Sequence, residues 1–268
     1  MHPMLNIAIR AARSAGSIIM RHADQIDSLT ISSKNYNDFV SEVDRAAEQE
    51  IIAILQKAFP GHGFLAEESS PSPPETEYTW IIDPLDGTTN FLHQFPQFAV
   101  SIALKYRNKL EQAVVYDPMR QELFTATRGA GAQLDNHRIR VSKRNTLNGA
   151  LLGTGFPYTQ PQQRHLPAYL NMLSTFIPEA AGIRRAGSAA LDLAYVAAGR
   201  LDGFWEIGLK PWDIAAGILL IQESGGVVSD FIGGDNSLTS GNIVAGNLEL
   251  QPTLLKTIKP HLTPELKC

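Results

Sequence analysis

Trp80-Ile81-Ile82-Asp83-Pro84-Leu85-Asp86-Gly87-Thr88-Thr89-Asn90-Phe91 decides how the rest of the chain is read. Its three leading apolar residues predict the end of a buried strand, and Pro84 has no amide to give to a sheet ladder. Gly87-Thr88-Thr89 predicts a tight turn and the start of a helix. Asp83 and Asp86 therefore fall on a turn beside free helix amides. Two carboxylates there are costly unless a cation neutralises them, while the amides themselves favour an anion. Divalent metal held by hard oxygen ligands, next to a helix start that accepts phosphate, satisfies both demands. The expected chemistry is that of a metal-dependent phosphatase.

Working outward, the signals on both sides feed the same point. Leu5, Ala8, Ile9, Ala12, Gly16 and Ile19 recur at helical spacing and predict a first amphipathic helix. Asp38-Phe39-Val40-Ser41-Glu42-Val43-Asp44 leads into a second, carried by Ala46, Ala47, Ile51, Ile54, Leu55 and Ala58 and stopped at Phe59-Pro60-Gly61, with Asp44 in its first turn. Phe64-Leu65-Ala66 predicts a short strand that delivers Glu67-Glu68-Ser69, so two neighbouring strands end in carboxylates. The stretch Ser69 to Thr76, rich in proline and serine, predicts an exposed connection, since the segments on either side carry parts of one presumed site.

From Ala99 to Val141 the pattern is that of an antiparallel meander, with strands over 100–106, 111–116 and 122–127 and turns at Asn108-Lys109, Asp117-Pro118, 128–131 and Asp135-Asn136. After Leu151 the rhythm changes. A helix carries Leu166, Leu170, Leu173 and Phe176, another runs from about Ser188 to Ala198 and is capped by Gly199, and a strand covers 203–207. Pro211-Trp212-Asp213 then opens a helix from Ile214 to Glu223 that stops at Gly225-Gly226. Hairpins followed by alternating helices and strands predict an α+β chain, one domain over 1–268 with sub-domains of about 1–145 and 146–268.

The bulk properties bound the function. With 268 residues and 44% hydrophobic composition the chain can bury a large core, and a net charge of −4 gives no support for general nucleic-acid binding. Arg138, Arg140, Lys143 and Arg144 form one dense basic run, expected on a solvated hairpin face. Cys268 is the single cysteine, which excludes an intramolecular disulfide and fits a reducing compartment. No secretory pattern or spanning apolar run is visible, so the expectation is cytoplasmic, without membrane attachment. His62, His93 and His137 are expected at the surface or in packing.

Asp83-Pro84-Leu85-Asp86-Gly87-Thr88-Thr89-Asn90-Phe91, followed at the right separation by Trp212-Asp213-Ile214-Ala215-Ala216-Gly217 and Glu223-Ser224-Gly225-Gly226, resembles the inositol monophosphatase family. Gly63 to Ser69 and Gly187-Ser188-Ala189-Ala190 extend the likeness over nearly the whole chain, closest to the bacterial extragenic-suppressor branch. The resemblance implies an αβαβα layered sandwich, a homodimer, Mg²⁺ dependence with two or three ions per site, and lithium sensitivity. It implies that Glu67, Asp83 and the carbonyl of Leu85 hold a first ion, and that Asp83, Asp86 and Asp213 hold a second, with weaker third-ion binding near Glu67. Asp44 and Thr88 match the pair that positions the attacking water, with Glu67 counted beside them among the catalytic residues, and Gly87 and Thr88 match amides that meet the phosphate. Asp86, Asp213, Glu206 and the Ser188-Ala189 turn match substrate contacts, with Arg184 added to them. Lys34 is displaced by one position against some members and takes no role.

The residue types suit the chemistry. Phosphate monoester hydrolysis needs an in-line water and charge neutralisation on the entering and leaving oxygens, and an all-oxygen ligand set favours Mg²⁺ over Zn²⁺. The expected reaction is hydrolysis of inositol 1-phosphate. Fructose 1,6-bisphosphate or a 3′-phosphonucleotide are the alternatives within the superfamily. An aspartyl-nucleophile phosphatase would need Asp-x-Asp, one residue closer than Asp83 and Asp86. The resemblance also allows a non-catalytic role as a partner in transcription antitermination.

Overall fold

The computed structural model describes residues 2–23, 31–35, 38–69 and 76–267, with residues 31–35 and 38–40 described by backbone alone. The proline- and serine-rich residues 70–75, the Lys34 side chain and Cys268 lie outside the described residues. In chain order the elements are α1 (Pro3–His22), β1 (Ile31–Asn35), β2 (Asp38–Ser41), α2 (Glu42–Ala58), β3 (Gly63–Ala66), β4 (Tyr78–Asp86), α3 (Thr88–Leu92), β5 (Ala99–Tyr106), β6 (Lys109–Asp117), β7 (Glu122–Thr127), β8 (Gly131–Leu134) and β9 (His137–Arg138). They continue with β10 (Leu151–Thr154), α4 (Leu166–Phe176), β11 (Gly182–Arg184), α5 (Ala189–Ala197), β12 (Gly203–Glu206), α6 (Pro211–Glu223), β13 (Gly226–Ser229), α7 (Ser237–Ser240), β14 (Ile243–Asn247) and α8 (Leu250–Ile258).

Strands β3 to β9 form a seven-stranded sheet in sequence order, parallel between β3 and β4 and antiparallel thereafter. Strands β10 to β14 form a five-stranded sheet in the order β11-β10-β12-β14-β13. Side-chain alternation sorts each sheet between two cores. In the first, Trp80, Ile82, Ile102 and Val114 point to α1 and α2, while Ile81, Ala103, Ala113 and Val115 point to α5 and α6. In the second, Phe204 and Ala245 point to α5 and α6, while Trp205 and Val244 point to α4 and α8. The layers are helix, sheet, helix, sheet, helix: the expected αβαβα sandwich.

The central helix layer is built for close approach. Alanines face it from the first sheet (Ala99, Ala103, Ala113, Ala126, Ala132), and alanines fill much of α5. Where α5 crosses α6, a Cβ placed on Gly217 would sit 2.5 Å from Cβ of Leu193, so only glycine permits that separation.

The structure moves several expected boundaries. Strand β4 does not stop at Asp83 but runs on to Asp86, with one extra residue inserted between the pairs Asp83–Ser101 and Asp86–Ala99. Pro84 sits in that bulge, where no ladder amide is needed. The helix expected from Ile214 begins at Pro211, because proline at the first helical position forgoes an amide that would lack an intrahelical partner anyway. Strands β10, β11, β13 and β14 and helix α8 have no counterpart in the sequence reading. Each of these strands has only three to five residues, too short for periodicity to register.

Gly217→Val is expected to destabilise the protein by about 1–3 kcal/mol through overpacking between α5 and α6, read as a lowered urea midpoint at unchanged slope. An unchanged midpoint would show that the central layer has slack at this crossing.

Candidate active site

Strand β4 brings its carboxylates to the edge of a cleft of about 1390 Å³ between the two sheets. The bulge at Pro84 turns the chain so that Asp83, Leu85 and Asp86 all reach that cleft, although strict alternation would send Asp83 and Asp86 to opposite faces. Asp83 accepts the Leu85 amide at 3.0 Å. Gly87 then adopts φ +99°, and a Cβ there would meet the Gln97 carbonyl at 2.8 Å, so glycine is required both for its backbone angle and for space. Helix α3 starts at Thr88 with no side-chain cap on its first amides.

Asp44 reaches the site indirectly. It is the third residue of α2 and closes a capping box, its Oδ2 accepting the Ser41 amide at 2.8 Å and the Ser41 hydroxyl at 2.5 Å. Its other oxygen, Oδ1, is 2.9 Å from Thr88 Oγ1, which also lies 3.1 Å from the Leu85 carbonyl. A hydroxyl has one proton, so Thr88 donates to one of these acceptors at a time. Burial pushes the Asp44 carboxyl above its ordinary range, opposed by its hydrogen bonds from Ser41 and Thr88.

The remaining carboxylates arrive from far along the chain. Asp86 Oδ2 accepts the Ser188 hydroxyl at 2.6 Å and the Ala190 amide at 2.7 Å, which places it on the N-terminus of α5. Asn90 reinforces the joint, its Nδ2 lying 2.7 Å from the Gln97 carbonyl and 2.9 Å from the Ala186 carbonyl. Asp213, in the first turn of α6, accepts the Lys210 amide at 2.7 Å. Glu67 follows β3 and lines the same cleft. Glu206 ends β12 against Gly155, where an added Cβ would overlap its carboxylate.

These groups sense one another. Burial raises Asp83 well above the ordinary carboxylate range, and the charges of Glu67, Asp86 and Asp213 raise it further. Asp213 is raised well above that range by burial, then by Asp86 and Glu67. Burial takes Asp86 up to about 6 against its hydrogen bonds from Ser188 and α5. Glu206 is pushed up to about 8 by burial and by Asp192, with Arg185 opposing.

Among the described residues no three acidic, histidine or cysteine side chains close into a metal-binding cluster. Asp83, Asp86 and Asp213 each lend an oxygen to a backbone amide. The donor set nevertheless fits Mg²⁺: four carboxylates and the Leu85 carbonyl, all hard oxygens, line one cleft, and the mutual repulsion of the carboxylates is what a divalent cation relieves.

Of the residues singled out in the sequence, Glu67, Asp83, Leu85, Asp86, Gly87, Thr88, Ser188, Ala189, Glu206 and Asp213 line the cleft, and Asp44 joins it through Thr88. Arg184 does not. It stands exposed at the end of β11 with Nη1 3.2 Å from the Ile183 carbonyl, and its neighbour Arg185 borders the cleft instead, 4.2 Å over the Phe156 ring. His62 stacks between Phe59 and Tyr78, and His137 is exposed, as expected; His93 is exposed but lies on the cleft rim. Sequence reasoning passed over Asp192, a buried carboxylate of α5 that faces the cleft. Its spacing of four from Ser188, one helical turn, was the available signal.

Residues 1–263 match the inositol monophosphatase family. The chain is 58% identical to Nus factor SuhB of Pseudomonas aeruginosa over the full length of both. The structure superposes on the extragenic suppressor protein SuhB of Bartonella henselae with a TM-score of 0.92 at 44% identity, covering 97% of this chain and 100% of that one. It superposes on the inositol monophosphatase of Anabaena with a TM-score of 0.83 at 37% identity, covering 98% and 97%. With its layered fold and its carboxylate-lined cleft, the chain belongs to the inositol monophosphatase family of phosphatases.

Proposed function

We propose that this protein hydrolyses inositol 1-phosphate to inositol and inorganic phosphate in a Mg²⁺-dependent reaction. The observation that carries the reading is the convergence of Glu67, Asp83, Asp86 and Asp213 on one cleft beside the Thr88–Asp44 hydrogen bond. Family membership and the likeness to the Anabaena inositol monophosphatase support the substrate class.

Glu67, Asp83 and the Leu85 carbonyl are the residues for a first ion, and Asp83, Asp86 and Asp213 for a second, with a third near Glu67. Bound Mg²⁺ supplies charge neutralisation on the phosphoryl oxygens and a more acidic water. Thr88 is placed to pass on a proton from an attacking water. When its hydroxyl donates to Asp44 Oδ1, its lone pairs are free to accept, so a proton leaving water for Thr88 is matched by one leaving Thr88 for Asp44. Were the Leu85 carbonyl to hold an ion, Asp44 would be the remaining acceptor for Thr88. Burial raises the proton affinity of Asp44 and so favours this transfer. The amides of Gly87 and Thr88 face the phosphate, and Glu206 with the Ser188-Ala189 turn faces the inositol ring.

Lithium inhibition and a homodimer belong to the same reading. The name Nus factor carried by the Pseudomonas aeruginosa relative favours a second role, as a partner in transcription antitermination. Among the described residues no helix is long and apolar enough to cross a membrane.

Phosphate release from a panel of sugar, inositol and nucleotide phosphates, with and without Mg²⁺, tests the proposal. Inositol 1-phosphate is expected to turn over fastest, with activity lost on chelation; a clear preference for fructose 1,6-bisphosphate or a 3′-phosphonucleotide would overturn the assignment. Asp83→Asn is expected to lower kcat by at least about a hundredfold. If this variant still rescues the phenotype of a strain lacking the protein, the transcription role is the physiological one.

Glu206 supplies a pH signature. Its carboxyl titrates near 4.5 when unfolded and at about 8 in the fold, so folding takes up a proton between these values. Stability is therefore fully present below about pH 4.5 and declines as pH rises through about 8. In chelator the urea midpoint is expected to fall between pH 5.5 and 8.5, and Glu206→Gln should flatten that fall; a slope unchanged by the substitution would assign the pH dependence to other groups.

A further inference from the structure

Buried carboxylates in this protein follow a rule with two exceptions. Asp44, Glu48, Asp83, Asp117 and Asp230 are all buried, and each accepts at least one hydrogen bond: Asp44 from Ser41, Glu48 from the Glu68 amide, Asp83 from the Leu85 amide, Asp117 from Arg120, and Asp230 from the Ile232 and Gly234 amides. Asp192 and Glu206 are also buried, at 2% and 9% exposure, yet among the described residues no hydrogen bond reaches either carboxylate. Both line the cleft. Neither carboxylate is sealed off from the cleft, so the donors that no protein group gives them come from whatever occupies it, and a ligand that brings hydroxyls there displaces water without leaving them bare.

The backbone makes room for Glu206 and brings Asp192 alongside. Gly153 and Gly155 lie two residues apart along β10 and its extension, so they share one face. A Cβ on Gly155 would overlap the Glu206 carboxylate, and one on Gly153 would stand 3.7 Å from Cβ of Asp192. Thr154 between them donates its hydroxyl to the Gly155 carbonyl at 3.1 Å. At about 1390 Å³ the cleft exceeds the roughly 300–1000 Å³ of common small-molecule pockets, so there is space for an alcohol group beyond the phosphoryl position.

We propose that Asp192 is a specificity-determining residue of this site, accepting hydrogen bonds, beside Glu206, from adjacent hydroxyls of a neutral polyol that carries the phosphate. The inference rests on the phosphatase reading above and deepens it by naming what selects the alcohol. Hydroxyls satisfy acceptor-only oxygens, whereas a second anionic substituent at the same place is repelled. Arg185, stacked on Phe156 at the cleft border, offsets part of this negative field without forming an ion pair with either carboxylate among the described residues.

The test compares inositol 1-phosphate with p-nitrophenyl phosphate, which has no hydroxyl to offer. Asp192→Ala is expected to lower kcat/KM for inositol 1-phosphate about tenfold or more, mainly through KM, while kcat/KM for p-nitrophenyl phosphate stays within about twofold. Asp192→Asn, which keeps one acceptor oxygen, should recover part of the loss. Neither variant is expected to lower Tm, because no internal hydrogen bond is removed. Equal losses on both substrates, no loss on either, or a lowered Tm in Asp192→Asn would overturn the proposal. If the wild-type protein turns over neither substrate, the phosphatase reading fails. Asp192 is then judged by ligand-detected NMR of free myo-inositol: a signal with wild type that Asp192→Ala abolishes supports its role, and equal signals, or none with wild type, overturn it.

Discussion

Carboxylates crowded where water is scarce are the constraint on which this structure turns. Burial raises the proton affinity of Asp83 and Asp213, the charges of Asp86 and Glu67 raise both further, and in an apolar setting such a group would be expelled or neutralised. The fold keeps them by giving Asp83, Asp86 and Asp213 each one backbone amide and by leaving other oxygens towards the cleft. Holding them there costs stability locally.

Asp86 is the joint between the halves of the molecule. It leaves β4 of the seven-stranded sheet and ends on the amides and hydroxyl that open α5, more than a hundred residues later. A carboxylate on a helix N-terminus is favourable in itself, so the bond that assembles the site also fastens the central helix layer to the first sheet. Ser101 adds a second fastening, its hydroxyl reaching the Trp212 carbonyl next to Asp213. The contacts that pack the layers also shape the cleft, and the tight crossing at Gly217 holds the two central helices in the register that sets Asp213 relative to Ser188.

Much of this was legible along the chain. Apolar periodicity marked α1, α2 and α4, a terminal glycine marked the end of α5, and runs of β-branched and aromatic residues between turn signals marked β5, β6 and β7. The stretch from Trp80 to Phe91 disclosed strand, turn and helix start, since proline and glycine act on the backbone locally whatever the tertiary context. The course of β4 past Asp83 was not legible. A bulge depends on the register with β5, which is a property of two strands.

The sequence by itself determined the residue types and their local settings: carboxylates at strand ends and in first turns, glycine at the tight turn after Asp86, an all-oxygen donor set. These follow from the chemistry of each residue with its near neighbours. Tertiary structure alone decided which acids remain without a partner. Asp192 and Glu206 differ from Asp117 and Asp230 only in what lies across from them, a cleft in one case and a donor in the other. Arg185 borders that cleft in place of Arg184 for the same reason: whether a side chain meets a neighbour or solvent is settled when distant segments pack, and no local pattern encodes it.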